Sequence, residues 1–128
     1  MSLNEIPVNV VDRPTGMATA LMTELKDYLV QLADTGETNI IDLLSLPMTD
    51  ADINELADHL GVGEVKATIN SIGSSSIRET AYRGIWWVRH YGDDGEVLSE
   101  LIEITQIPEI LVTHRDEIRH SADVMAAL

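Results

Sequence analysis

The chain has no cysteine. Without thiolates it cannot hold an iron–sulfur cluster in the usual way, form a disulfide or perform thiol chemistry. Cations are also scarce: eight Lys and Arg stand against twenty-two Asp and Glu, a net charge of -14. Such a balance repels phosphate backbones and anionic lipid surfaces, which argues against nucleic acid and membrane as partners. It leaves two uses for the charge, solubility or the steering of a basic partner. No apolar run approaches the ~20 residues of a membrane span, and the N-terminus lacks a basic region followed by an apolar stretch. The expectation is a soluble, unexported, cytoplasmic protein. Catalytic signatures are missing too. There is no GxSxG, and Gly73-Ser74-Ser75 lacks the following lysine of a phosphate loop, so it reads as a turn.

What is present is concentrated in one stretch. Both tryptophans and two of the three tyrosines fall between Ser76 and Leu111. Ile85 to Tyr91 and Glu96 to Thr105 alternate with period two around Gly92-Asp93-Asp94-Gly95, the pattern of a β-hairpin. A two-residue type I′ turn at Asp94-Gly95 sets Arg89 opposite Glu100, Trp87 opposite Ile102 and Ile85 opposite Ile104. A four-residue loop slides the pairs by two positions and keeps the same faces. Ile85, Trp87, Tyr91, Leu98, Ile102 and Ile104 then form a core face. Trp86, Val88, His90, Ser99, Leu101 and Glu103 form the other, apolar in the middle and polar at its edges.

With 128 residues, one domain is expected over 1–128, with residues 1–13 read as an extended arm or a disordered lead. Met17, Leu21, Leu25, Tyr28, Leu29 and Leu32 recur at helical spacing after Thr15, a candidate cap, and Gly36 closes the helix. Thr38 to Leu43 reads as a short strand. Thr49 with Asp52 three residues on is a capping-box pattern for a second helix, which buries Ile53, Leu56, Ala57 and Leu60, shows His59 to solvent and ends at Gly61. Glu64 to Asn70 alternates as a strand, and a further strand is expected from Ser76 to Tyr82, with Gly84 marking a bend. Pro108 ends the sheet, and Thr113 with Asp116 opens a last helix whose Ile118, Ala122 and Met125 share a face.

The second hairpin face is the candidate site. Trp86, Val88, His90, Ser99, Leu101 and Glu103 read as a partner-binding patch, an aromatic anchor within a polar rim. Its competitor is a covered patch, with the N-terminal arm or the last helix lying over Trp86. His90, Ser99 and Glu103 also invite a hydrolase-like reading. That reading is the weaker one, because a serine flat on a strand has no oxyanion hole at a helix N-terminus and Glu103 lies two pleats from His90. Glu117 and His120 stand three apart, as in carboxylate-bridged metal bundles, but such sites need two pairs and further glutamates; no metal and no cofactor is expected.

Several short motifs together carry a resemblance. Glu79-Thr80-Ala81-Tyr82-Arg83-Gly84-Ile85-Trp86-Trp87-Val88, then His90-Tyr91, Ile102-Glu103-Ile104 and Ile107-Pro108-Glu109-Ile110-Leu111 resemble the conserved C-terminal region of the HupH family of hydrogenase expression proteins. Ile41 to Met48 and Gly61 to Val65 are similar to that family as well. The resemblance implies an accessory protein for maturation of nickel–iron hydrogenase, a non-catalytic chaperone or scaffold. It implies a hydrogenase subunit precursor as partner, the iron–sulfur small subunit first, with a twin-arginine signal region as the natural basic target. A homodimeric structural module, built on the Trp86 face, is the alternative. The expected fold is α+β: a mostly antiparallel four- or five-stranded sheet with a central hairpin, packed against two or three helices.

Overall fold

The structure, a computed structural model, describes residues 12–128. Residues 1–11, most of the expected arm, lie outside the described residues. The fold is α+β. Five antiparallel strands, β1 (Asn39–Asp42), β2 (Lys66–Ser71), β3 (Gly73–Glu79), β4 (Ile85–Tyr91) and β5 (Val97–Ile104), form one sheet in the order β1-β5-β4-β3-β2. Among the described residues three α-helices complete it: α1 (Met17–Thr35), α2 (Asp50–Leu60) and α3 (Arg115–Ala126). None is long and apolar enough to cross a membrane.

The helical stripe of α1 and the apolar face of α2 meet one face of the sheet. Leu21 and Leu25 of α1 and Leu56 and Leu60 of α2 pack with Ile41, Ile85, Trp87, Ile102 and Ile104 from β1, β4 and β5. The two helix starts are tied to each other through Asp52. In the capping box, the Thr49 hydroxyl accepts from Asp52 N–H at 3.1 Å and Thr49 N–H donates to Asp52 Oδ2 at 3.0 Å. The same carboxylate accepts the Thr15 backbone N–H and the Thr15 hydroxyl, both at 2.7 Å. Thr15 is therefore not the cap of α1. Gly16, at φ 91°, holds that position, and Thr15 reaches back to α2 instead.

The hairpin register matches the expected pairs: Arg89 opposite Glu100, Trp87 opposite Ile102 and Ile85 opposite Ile104. The turn that produces it is different. Gly95 N–H donates to Gly92 O at 3.0 Å and Gly92 N–H to Glu96 O at 2.8 Å, with Gly95 at φ 83°, so the loop is a three-residue turn with a left-handed glycine. A bulge follows, since Tyr91 pairs with Val97 while His90 pairs with Ser99. The extra residue, Leu98, offsets the extra loop residue and restores the register beyond it. Leu98 consequently leaves the core face and is 59% exposed, and Tyr91 is only half-buried.

β3 begins three residues earlier than the alternation suggests and ends three earlier. Gly73, at φ 76°, allows a turn so tight that Ser71 pairs with Gly73 and only Ile72 lies at the tip. At the other end Thr80 stops the strand. Its hydroxyl caps a turn through Tyr82, whose carbonyl accepts from Ile85 N–H at 3.1 Å, and Gly84 completes the reversal at φ 96°. The last helix also differs from expectation. His114, not Thr113, precedes it, and no residue of α3 is buried, so among the described residues α1 and α2 are the helices that cover the core.

Candidate functional site

Adjacent residues of a strand point to opposite faces, so β4 sends Trp87 to the helices and Trp86 to the second face. There Trp86, Val88 and Ile77 form a second apolar cluster, flanked by Ala67, Ile69, Leu101 and Leu111. Trp86 is 5% exposed and Val88 is fully buried. Neither is therefore available as an open anchor. Trp86 Nε1–H donates to the Thr105 carbonyl at 3.1 Å, and beyond Thr105 the chain turns at buried Pro108 into a short 3-10 turn, Glu109–Leu111, that brings Leu111 onto the cluster. Among the described residues the cover thus comes from the segment just after β5 and not from α3.

The four remaining candidates form a half-buried rim. His90 lies opposite Ser99 on β5 and also opposite Ser75 on β3. The Ser75 hydroxyl and His90 Nδ1 are 2.7 Å apart, a hydrogen bond in which either can donate, depending on the tautomer. Leu101 packs beside the Trp86 cluster. Glu103 lies opposite Trp86 and Ile40 and lines a cleft of about 300 Å³ with Thr105, Ile107, Val112 and His114. Burial holds its carboxyl above the usual carboxylate range, and the positive charge that His90 can carry partly offsets the rise.

Ser75 is the site residue that sequence reasoning missed. It sits in the serine run taken for a turn. Moving the strand start to Gly73 places Ser75 two residues before Ile77, on the face of Val88 and His90, and this is the signal that finds it. Sequence and geometry together bring a serine, a histidine and a carboxylate to one face. Ser75 and Ser99 lie in strand interiors, where their backbone groups belong to the ladder, and Glu103 makes no hydrogen bond to His90. Such an arrangement fixes a histidine on a sheet surface. It does not by itself offer a nucleophile with a preorganised oxyanion site. Among the described residues, no three His, Asp or Glu side chains are grouped to hold a metal ion.

Comparison with known proteins places this chain and its fold in a family. The family described as HupH hydrogenase expression protein, C-terminal conserved region, matches residues 16–128. The chain is 31% identical over 105 residues to the hydrogenase expression/formation protein HupH of Rhodobacter capsulatus, covering 82% of this chain and 38% of that one. It is 28% identical over 114 residues to HoxQ of Azotobacter vinelandii, also named a hydrogenase expression/formation protein, covering 86% and 40%. The chain thus spans about two fifths of these curated relatives. The solved structure of the hydrogenase expression protein HupH from Thiobacillus denitrificans superimposes with a TM-score of 0.86 at 34% identity, over 90% of this chain and 96% of that one. The five-stranded sheet with its helices is accordingly a fold already seen in a solved structure, and the chain belongs to the HupH family of hydrogenase expression proteins, matching its C-terminal conserved region.

Proposed function

We propose that this chain acts in the expression and maturation of a nickel–iron hydrogenase as a binding module, a chaperone or scaffold without chemistry of its own. The observation that carries the reading is the family match across residues 16–128, with relatives named for hydrogenase expression and formation. Two properties of the chain favour a binding role over a catalytic one. The lack of cysteine removes cluster transfer through thiolates. The second-face serines lie flat on strands, with His90 held by Ser75. The partner in this reading is a hydrogenase subunit precursor, the iron–sulfur small subunit first, approached through its basic signal region by a chain of net charge -14. The rim of His90, Ser99, Leu101 and Glu103 is the contact surface, with Trp86 and Val88 as its rigid floor.

The test is a pull-down with tagged chain from cells expressing a hydrogenase operon, read by mass spectrometry. Specific recovery of the small-subunit precursor is expected. Recovery of no hydrogenase or maturation protein would overturn the reading. His90→Ala should leave hydrogenase maturation largely intact; its complete loss with normal folding and normal partner capture would return the question to catalysis.

A homodimeric module is the second reading, and α3 favours it. Ile118, Val124 and Met125 are exposed on a helix with no buried residue, and a 12-residue helix is marginal in water unless an apolar face packs on something. Native mass spectrometry separates the two readings: a dimer at low micromolar concentration supports this one, and a monomer rules it out there.

A further inference from the structure

The helix-covered face of the sheet is apolar over β1, β5 and the first half of β4, and polar beyond it. No residue of β2 or β3 belongs to the core beneath the helices. Lys66, Thr68 and Asn70 of β2 are exposed on this uncovered half, paired with Arg78, Ser76 and Ser74 of β3. Arg78 lies opposite Trp87, with its guanidinium carbon 5.3 Å from the ring centroid; that of Arg89 is 5.8 Å away. Both distances are in the range of cation–π attraction, so two cations share one indole.

Among the described residues one carboxylate serves them. Glu100 Oε2 accepts Trp87 Nε1–H at 2.8 Å and also Arg89 Nε–H, the neighbour directly across the strand pair. Arg78 makes no ion pair and no side-chain hydrogen bond among the described residues. A guanidinium carries five donors, and this one is half-buried with its position set by the indole beneath it. Burial and the charge of Arg89 disfavour its cationic form, and Glu100 only partly opposes them. Lys66, opposite Arg78, adds a second positive charge at the open edge.

We propose that Arg78, seated on Trp87 and flanked by Lys66 and Ser76, is a docking site for a glutamate or aspartate side chain presented by a protein partner on the uncovered half of the sheet. A planar guanidinium matches a carboxylate in a bidentate pair. An unpaired guanidinium takes one carboxylate, with Lys66 as a second cation beside it, whereas a nucleic acid or another polyanion meets the net charge of -14 on the rest of the chain. The site is independent of the identity of the partner. It lies on the face opposite the His90 rim.

The experiment is an NMR titration of the full chain, uniformly labelled with nitrogen-15, with the blocked peptide acetyl-Ala-Glu-Ala-amide. The same peptide with Gln and inorganic phosphate are the comparison probes. Saturable movement of the Trp87 indole N–H and the Arg78 Nε–H is expected with the Glu peptide, in the millimolar range for a single contact. The Gln peptide should move neither, and Arg115 and Arg119 on α3 should stay unchanged. Arg78→Gln should weaken binding at least about tenfold, by loss of the bidentate pair. Should Arg78→Gln fail to fold, Lys66→Gln, at an exposed position, should weaken it two- to threefold. The proposal is overturned by an unsaturable response, by equal responses to Glu and Gln peptides, by tighter phosphate than Glu binding, or by a folded Arg78→Gln chain that binds as before.

Discussion

Trp86 and Trp87 are consecutive in the chain and belong to different cores, one bonded to the Thr105 carbonyl and the other to the Glu100 carboxylate. Both rings are nearly sealed from solvent, at 5% and 1% exposure. Trp86→Ala and Trp87→Ala should therefore each cost about 3–5 kcal/mol of stability, the range for truncating a buried aromatic. Chemical denaturation of the two variants checks this. A Trp86→Ala chain as stable as the parent would mean that the segment from Thr105 to Leu111 does not cover the second face.

Asp52 makes stability depend on acid. Burial opposes its ionisation, but the donors of Thr15 and Thr49 outweigh it and hold the carboxyl below its ordinary value of 3.8. Its folded pKa lies below its unfolded one, so its contribution is fully present above about pH 3.8 and is lost as pH falls through the folded value. Asp52→Asn should lower the melting temperature at pH 7 and show a shallower loss of stability below pH 4 than the parent. Parallel acid profiles for the two chains would contradict the assignment.

Glu103 acts in the opposite sense. Its carboxyl is raised above 4.5, chiefly by burial. Ionisation then costs more in the folded chain than in the unfolded one. The cost is present above the folded pKa and disappears below the unfolded one. Glu103→Gln should raise the melting temperature at pH 7, and the gain should vanish below about pH 4.5. Thermal melts across that range decide it.

Gly63 admits no side chain. A Cβ there would lie 2.3 Å from the Thr80 carbonyl oxygen and 2.7 Å from that of Glu79, both backbone atoms that cannot swing aside. Gly63→Ala should destabilise by at least about 1–3 kcal/mol, the usual cost of overpacking. Gly63 N–H also donates to Glu79 O at 2.9 Å, so the damage should reach the end of β3. Faster amide exchange at Gly63 and Thr80 is the local readout.

Charge should show itself in kinetics. If the acidic surface steers a basic precursor, its association rate should fall as salt rises from 50 to about 300 mM, with a smaller change in dissociation. Stopped-flow measurements with a peptide of the precursor's signal region test this. An association rate flat across that range would leave the charge as a solubility feature.

Strand alternation made the faces of β4 and β5 legible, because a buried face tolerates only one parity. The turn was not legible, since a loop one residue longer and a bulge at Leu98 give the same distant register as a two-residue turn. Ser74 and Ser75 hid the start of β3, for serine favours turns and strands without an apolar signature alike. The stripe of α3 was visible, but periodicity states that a face is apolar and not what it packs against. For the site, the face of Trp86 followed from parity. Its cover did not, because that depends on the direction in which Pro108 sends the chain. Arg78 drew no notice in sequence, since its pairing with Trp87 depends on where β3 begins.

The bulge at Leu98 has a consequence for how the hairpin tolerates insertions and deletions. Removing Leu98 alone closes the bulge and leaves Tyr91 opposite Val97 and His90 opposite Ser99, so Arg89 stays opposite Glu100. Removing one residue from Asp93-Asp94-Gly95 alone shortens the loop to two residues and leaves the same pairs beyond it, so β1 keeps its place on the other side of β5. Length changes at the tip and at the bulge are therefore each absorbed locally, and the pairs of β5 with β4 and β1 beyond Ser99 do not depend on them.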